Sequence, residues 1–385
     1  MGILHFNNTF LQVLLKKFFF YLFLLGFLII SSCIDRINIA IPDSYTSQLV
    51  VDGVITDESG PYTIRLTKSI RTEKFLLFSQ EPVTSAKVTI TDNAGNSELL
   101  MEMESGVYET RANGIQGMVG REYAIKIETK DGKIFESIPD KMNPVGEIDN
   151  LYYEYETFQP LNTSQEYGFR FYIDTEAIPV INNFVRWKFT GIFKVEAEPK
   201  LHTRFGCTPD PRPCSGLIFV DGGFRNVAEC TCCTCWVTKN ETKPNVSDNQ
   251  FVIQGKVRKI EVGYVPIEFF PFQQKYRVEV KQMSLSREAY NYWRIIQSQK
   301  EGATSLFQPP TGKTRTNIFA KNGIEQVQGL FYASSVKTRQ IYLSNADVPV
   351  NLRVPRWDCE VNGTIAESCL YAFKFSSTQA PADWK

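Results

Sequence analysis

The sequence is poor in histidine, in net charge and in long apolar runs. Of 385 residues only His5 and His202 are histidine, and only His202 lies beyond the N-terminal segment. A metalloprotease pair needs two histidines on one helix face, so that chemistry is excluded from the body of the chain. A Ser-His-Asp triad would have to recruit His202, and no Gly-x-Ser-x-Gly elbow offers a nucleophile. Lys+Arg and Asp+Glu both total 42, which leaves neither a basic footprint for nucleic acid nor an acidic tail. Among so many acids no two are singled out for glycoside hydrolysis. Gly312-Lys313-Thr314 ends like a phosphate-binding loop, but Phe307 stands where the first glycine belongs. Pro309-Pro310 also lack the amide donors that cradle phosphate, so the segment reads as a surface loop.

The longest apolar run, Phe18 to Ile30, follows Lys16-Lys17 and is thirteen residues long. That suits the charged start and apolar middle of a secretion signal, and falls short of the about 20 residues a membrane-spanning helix needs. It ends in Ile30-Ser31-Ser32-Cys33, the form of a bacterial lipobox. Small residues let an extended backbone enter a peptidase cleft, and a thiol is the group that carries a thioether-linked diacylglycerol. Several acyl chains hold a protein stably where one holds it marginally. The expectation is a lipoprotein signal peptide over 1–32, lipid attachment at Cys33 and a tether over 33–45. An uncleaved anchor, or an ordinary signal with a chance cysteine, is the alternative. Removing 1–32 takes away two lysines and no acid, leaving 40 basic against 42 acidic residues. The sequons at Asn162, Asn240, Asn245 and Asn362 are discounted because a lipobox implies a bacterium.

What the chain has in quantity is aromatic and alternating sequence: 28 Phe and 17 Tyr, with aromatics at 13%. Beyond the tether, Leu49-Val50-Val51, Tyr62/Ile64/Leu66, Val88/Ile90, Val107-Tyr108 and Tyr123/Ile125/Ile127 alternate with polar residues, and Asp131-Gly132 is a hairpin turn into Lys133–Ser137. Short strands at this spacing describe an immunoglobulin-like β-sandwich over 46–140. Pro139, Asn143, Pro144 and Gly146 mark a boundary. A larger β-rich domain is expected over 147–385, with strands at 150–158, 168–174, 184–197, 251–265, 276–280, 327–334 and 339–343. The one prominent helix is expected from Ser286, a capping residue, to Lys300, with Glu288 in its first turn and Gly302 stopping it. The fold class is therefore mainly β. Segment 198–249, rich in proline and cysteine, reads as a disulfide-stapled insertion rather than core. Within 152–156 the run Tyr-Tyr-Glu-Tyr-Glu reads either as a sugar-stacking or protein-binding face or as plain alternation in a half-buried strand.

Eight cysteines follow Cys33: Cys207, Cys214, Cys230, Cys232, Cys233, Cys235, Cys359 and Cys369. The cluster holds Cys-x-x-Cys twice, offset by two, which would suit a four-thiolate metal site or redox chemistry. In an exported chain disulfides are favoured instead. Adjacent Cys232 and Cys233 are not expected to bond to each other. If the segment is extended, Cys230/Cys232 and Cys233/Cys235 face opposite ways, with Cys207, Cys214, Cys359 and Cys369 as partners. No metal or cofactor is expected.

The chain resembles the Bacteroidota lipoprotein family of domain of unknown function 4249, from Cys33 to the C-terminus. The resemblance lies in Pro82-Val83-Thr84-Ser85-Ala86-Lys87-Val88-Thr89-Ile90, Gly106-Val107-Tyr108, Gly120-Arg121-Glu122-Tyr123, Phe184-Val185-Arg186-Trp187 and Cys235-Trp236. Its most specific stretch is Ser284-Leu285-Ser286-Arg287-Glu288-Ala289-Tyr290-Asn291-Tyr292-Trp293, followed by Asn317-Ile318 and Gly329-Leu330-Phe331-Tyr332-Ala333-Ser334. Family members finish with closely spaced cysteines, a glycine pair and a Pro-x-Phe-Trp-like end. This chain has Cys359, Gly363, Cys369 and Pro381-Ala382-Asp383-Trp384. The resemblance implies an outer-membrane lipoprotein with an immunoglobulin-like first domain, of a kind often encoded beside TonB-dependent receptors.

The expected function is accordingly non-enzymatic: an outer-membrane, lipid-anchored accessory to a TonB-dependent transporter, partnering a β-barrel receptor in ligand capture or uptake. The alternatives are a surface adhesion or envelope-assembly protein and, less favoured, a cell-surface hydrolase built on His202.

Overall fold

The computed structural model describes residues 16–18, 20, 47–69, 80–158, 166–176, 178, 184–199, 213–248, 255–268, 270–302, 314–321, 323–349, 360–361, 363–365 and 368–384. The chain divides into two compact units, Met1–Thr46 and Ser47–Lys385. In the first, residues 16–18 and 20 are helical. No helix of the described residues is long and apolar enough to cross a membrane. All that follows concerns the second unit, which is mainly β with one prominent helix.

Its first body is a β-sandwich. One sheet runs in the order Val327–Ser334, Leu49–Thr56, Thr63–Lys68, Val107–Glu109, Met101–Glu104. The facing sheet runs Ile318–Ala320, Ile134–Ser137, Glu122–Glu128, Lys87–Asp92, Ser97–Leu99. Period-two alternation puts Val51, Ile64, Leu66, Val88, Ile90, Ile125 and Ile127 into one core between the sheets. The expected strands over 46–140 are present. They are completed by two strands from far along the chain, so the division at residue 147 is crossed.

The crossing has specific causes. Val327–Ser334 pairs in parallel with Leu49–Thr56, in register Val51 to Gly329. Gly329 sits at φ +91°, and a Cβ there would run into the Val51 backbone, so only glycine allows this approach. Buried Asn317 donates from Nδ2 to the Phe331 carbonyl at 2.6 Å and accepts the Phe331 N–H at 3.2 Å. Val327–Ser334 is buried on both faces: Phe331 and Ala333 enter the sandwich core, while Leu330 and Tyr332 pack with the helix. The last strands of the family resemblance therefore close the first sandwich.

The second body packs a three-stranded sheet, Ile148–Phe158, Glu166–Glu176 and Lys256–Pro266, against a sheet ordered Val336–Ser344, Lys275–Leu285, Phe184–Glu196, Thr234–Asn240, Ser376–Ser377. Its core is strongly aromatic, including Phe169, Phe171, Trp187, Phe189, Phe193 and Tyr276. Here one expectation is corrected. Segment 198–249 is not wholly an insertion, because Thr234–Asn240 pairs antiparallel with Phe184–Glu196 and buries Cys235 and Val237. The strand alternates, with Cys235 and Val237 at its two buried positions.

The predicted boundary is clamped, with no free hinge. The Asn143 carbonyl accepts from Ser284 Oγ at 2.6 Å and Ser335 Oγ at 2.8 Å, and Asn143 Nδ2 donates to the Leu285 carbonyl. Gln282 Nε2 donates to the Gly146 carbonyl and to Thr175 Oγ1, both at 2.7 Å, while accepting from the Trp187 indole. The helix Arg287–Gly302 starts as expected, with Ser286 Oγ accepting the Ala289 N–H at 3.2 Å. Ala289 and Tyr290 seal it onto Phe184, Leu285 and Tyr332. Gly302 is its last residue.

Candidate binding cleft

Where the Lys256–Pro266 strand faces the middle of the other sheet, a cleft of about 630 Å³ opens, lined by Phe189, Glu241, Lys243, Tyr264, Tyr276 and Gln297 among others. Phe189 and Tyr276 belong to central paired strands and are fixed by their register. Glu241 follows the last residue of Thr234–Asn240. Its Oε2 accepts the Phe189 N–H at 3.1 Å, and its Oε1 ion-pairs with buried Arg186. The Arg186 guanidinium lies 3.7 Å from the centre of the Trp293 ring and donates to the Tyr332 hydroxyl at 3.4 Å. Burial works against the charge on Arg186, but Tyr332 and Glu241 outweigh it and its pKa is raised. Glu241 is thus tied through Arg186 to the helix.

Tyr264 forms the opposite wall. Its ring occupies the space left by Gly168, where any Cβ would fall into it, and the Arg170 guanidinium stands 5.6 Å from the ring centre. The Tyr264 hydroxyl is buried and has no hydrogen-bond partner among the described residues. Burial raises its pKa, so at neutral pH it is a protonated donor. Such a group costs about 1–3 kcal/mol until an acceptor reaches it. The charged groups around the cleft are already engaged: Glu261 with Arg170 at 2.5 Å, Lys243 with Glu301 at 3.0 Å and Lys239 with Glu268 at 3.9 Å. Aromatic walls and paired charges suit a neutral polar ligand with an apolar face.

Adjoining the cleft, the outer face of the three-stranded sheet separates the Tyr152–Glu156 run by alternation. Tyr152 stacks on Tyr172 at 5.7 Å, with Lys259 Nζ 4.9 Å from the Tyr172 ring and 2.8 Å from Glu154. Glu156 accepts from Arg170 at 2.7 Å. Tyr153 and Tyr155 point the other way, against Phe169. The Tyr153 hydroxyl donates to Asp347 at 2.6 Å, and that bond, with burial, pushes its pKa up to about 12. The run is thus a strand that alternates between a core face and an outer face, as the plain-alternation reading expects.

The cysteine cluster forms three disulfides: Cys214–Cys232, Cys230–Cys233 and Cys235–Cys369. Cys232 and Cys233 do not bond to each other, as expected. The expectation that all four cluster cysteines reach outward is corrected, because Cys230 and Cys233 close on each other within a turn ahead of the strand. All four are oxidised, which leaves no thiolate for a metal, and among the described residues no three His, Cys, Asp or Glu are grouped to hold one. In the chain-entropy model the pair 134 residues apart contributes about 5 kcal/mol, the pair 18 apart about 3 and the pair 3 apart about 2. Cys33, His202, Cys207, Cys359 and the Gly312-Lys313 pair lie outside the described residues, as do the apolar run and lipobox from Tyr21 onward and the tether through residue 45.

Sequence reasoning missed Tyr264, Phe189 and Glu241. Tyr264 carried a faint signal, since Gly168 and Gly263 interrupt two otherwise bulky strands and mark close approach. Arg186 at an apolar position in Phe184-Val185-Arg186-Trp187 was the other clue, because a buried arginine needs a partner.

The fold and cleft define a double β-sandwich protein whose second body is braced by disulfides. The chain belongs to the family described as Domain of unknown function (DUF4249), whose model matches residues 34–340. No curated protein sequence matches it. Among solved structures, an adhesin of Yersinia pseudotuberculosis, InvE, aligns at 10% identity with a TM-score of 0.16, over 62% of this chain and 55% of that one. The chain thus spans about half the length of that protein, and at this score the likeness carries no argument.

Proposed function

We propose that this protein is a non-enzymatic outer-membrane lipoprotein, anchored through Cys33, that captures a ligand as an accessory to a TonB-dependent transporter. The observation that carries the capture half is the aromatic cleft with its charges already paired, walled on one side by Tyr264, whose buried hydroxyl has no partner among the described residues. Such a surface favours a neutral, hydroxyl-rich ligand with an apolar face, a saccharide in chemical terms. Aromatic faces give stacking area, and the phenol supplies one directional bond. The anchor half rests on Ile30-Ser31-Ser32-Cys33 after a short apolar run, and the transporter partnership on the family resemblance.

The capture half is tested by titrating neutral oligosaccharides into the mature protein. Binding that weakens at least tenfold in Tyr264→Phe, with an unchanged melting temperature or a higher one, is the expected result; no binding across a glycan panel removes this half. The partnership is tested by mild detergent extraction, where a β-barrel receptor should co-purify. Isolation alone, with altered cell attachment on gene deletion and normal growth on specific nutrients, would favour the adhesion reading instead. A Cys33→Ser chain that is still processed and still partitions with membranes would overturn the anchor.

A further inference from the structure

We infer that Cys230–Cys233 is a thiol–disulfide exchange site that accepts a thiol carried on an extended polypeptide. It differs from the other two disulfides in position. Cys235 and Cys369 are both fully buried and half-buried Cys214 is bonded to Cys232, which is 1% exposed, whereas Cys230 and Cys233 are both half-buried and both line a second cleft of about 600 Å³. That cleft has buried Ala197 and Leu217 at its base, with exposed Val227 and with Glu198 and Glu229 also lining it. One side follows the hairpin Leu217–Val220/Gly223–Asn226, whose two strands pair only with each other among the described residues. The space admits several residues of extended chain, and a disulfide that opens onto a cleft is more reducible than a buried one.

The surroundings keep the two sulfurs in place when the bond opens. The cluster is interleaved: Cys232 is tied to Cys214 and Cys235 to Cys369, so positions flanking Cys233 stay cross-linked after reduction. The Cys233 carbonyl accepts the Ala197 N–H at 2.7 Å, and Thr231 N–H donates to the Cys214 carbonyl at 2.8 Å. With three residues' separation and Cα atoms 5.7 Å apart, the dithiol stays poised to close again. A disulfide needed for the fold would be buried and would close a long loop, as Cys235–Cys369 does.

The exchange is balanced as follows. A partner thiolate attacks one sulfur, a mixed disulfide forms, and the Cys230–Cys233 bond breaks with the other sulfur leaving as thiolate. A second partner thiol then displaces the mixed disulfide. The partner gains a disulfide, and Cys230 and Cys233 are left as a dithiol holding the two electrons. Attack by the dithiol on a partner disulfide runs the same steps backwards.

The experiment is graded reduction of the folded mature protein with dithiothreitol, followed by isotope-coded alkylation and peptide mass spectrometry. Cys230 and Cys233 should be labelled at least tenfold faster than Cys214, Cys232, Cys235 and Cys369, with circular dichroism unchanged and glutathione disulfide restoring the bond. Single variants Cys230→Ser and Cys233→Ser should each be screened with a disulfide-bearing peptide, and in at least one the remaining thiolate should displace a peptide thiol and trap a stable mixed disulfide. The double variant Cys230→Ser/Cys233→Ser should fold and melt within a few degrees of the parent. Reduction of all three disulfides together with unfolding, failure of both single variants to trap, or a double variant that does not fold would each overturn the inference.

Discussion

The two sandwiches of Ser47–Lys385 solve one problem, holding two sheets face to face, in different ways. The first has a mainly aliphatic interior of Val, Ile and Leu, and each of its buried phenols is satisfied. Tyr62 donates to the Thr56 carbonyl at 2.7 Å, Tyr108 to the Val83 carbonyl at 2.8 Å, and the Tyr123 oxygen accepts the Met118 N–H at 2.8 Å. The second has an aromatic interior, three disulfides and both clefts. It also contains Tyr264, whose phenol is unsatisfied. Small aliphatic side chains on alternating strands fill space evenly, whereas large flat rings leave gaps that cross-links must brace. The contrast places both clefts, and with them the proposed capture of a ligand, in the second body.

The comparison breaks most visibly at the longest cross-link. Replacing Cys235 and Cys369 together by Ala should lower stability by about 4–5 kcal/mol, read by calorimetry. Hydrogen exchange should speed up in Phe184–Glu196 and Thr234–Asn240 while the amides of Glu122–Glu128 change little. Equal acceleration in both sandwiches would mean that the disulfide supports the whole unit.

The first sandwich should be most sensitive at its borrowed strand. Gly329→Ala places a Cβ against Val51 at a φ that L side chains avoid, at a cost of about 2–4 kcal/mol. The expected signature is loss of exchange protection in Leu49–Thr56 and Val327–Ser334 ahead of the second body.

A third test bears on the seam between them. Asp140 is 5% exposed, its Oδ2 accepts the Ala333 N–H at 2.9 Å, and burial pushes its pKa up from 3.8 to about 6. Between those values the folded state keeps a proton that the unfolded state has released, so stability is lost as pH rises through the window. Asp140→Asn keeps an acceptor for Ala333 and cannot ionise. Its stability relative to the parent should therefore rise from pH 4 to pH 7 by on the order of 2–3 kcal/mol, seen as a changing difference in melting temperature. A constant difference would place the titration elsewhere.

The smallest effect on stability is expected at Tyr264→Phe. Removing a buried donor that has no partner should leave the protein as stable or more so, by up to about 1 kcal/mol. The matching change Tyr108→Phe, which strips a partnered phenol, should destabilise it by about 1–2 kcal/mol. Opposite signs at the two tyrosines would sharpen the difference between the satisfied phenols of the first body and the unsatisfied one of the second.

Much of this architecture was legible in the residues, because local rules act over a few positions. Alternation locates the strands of the first sandwich, Ser286 locates the start of the helix, and paired Cys-x-x-Cys motifs behind a signal-like N-terminal run point to disulfides. Long-range pairing was not legible. Nothing near Ile318–Ala320 or Val327–Ser334 says that they add to strands roughly 180–280 positions away in the chain. The clue was Gly329, which is intelligible only once Val51 is seen beside it. Thr234–Asn240 escaped as a core strand because cysteine is both an apolar side chain and a cross-linker, and its second role drew the reading.

The sequence by itself determined strand content, the position of the helix and the oxidation of the cluster, since each follows from backbone periodicity, capping or thiol chemistry within a short window. Tertiary structure alone decided which cysteines pair, which strands close each sandwich and which tyrosine is left without an acceptor. Those outcomes depend on side chains meeting across distances in the chain that no local preference encodes.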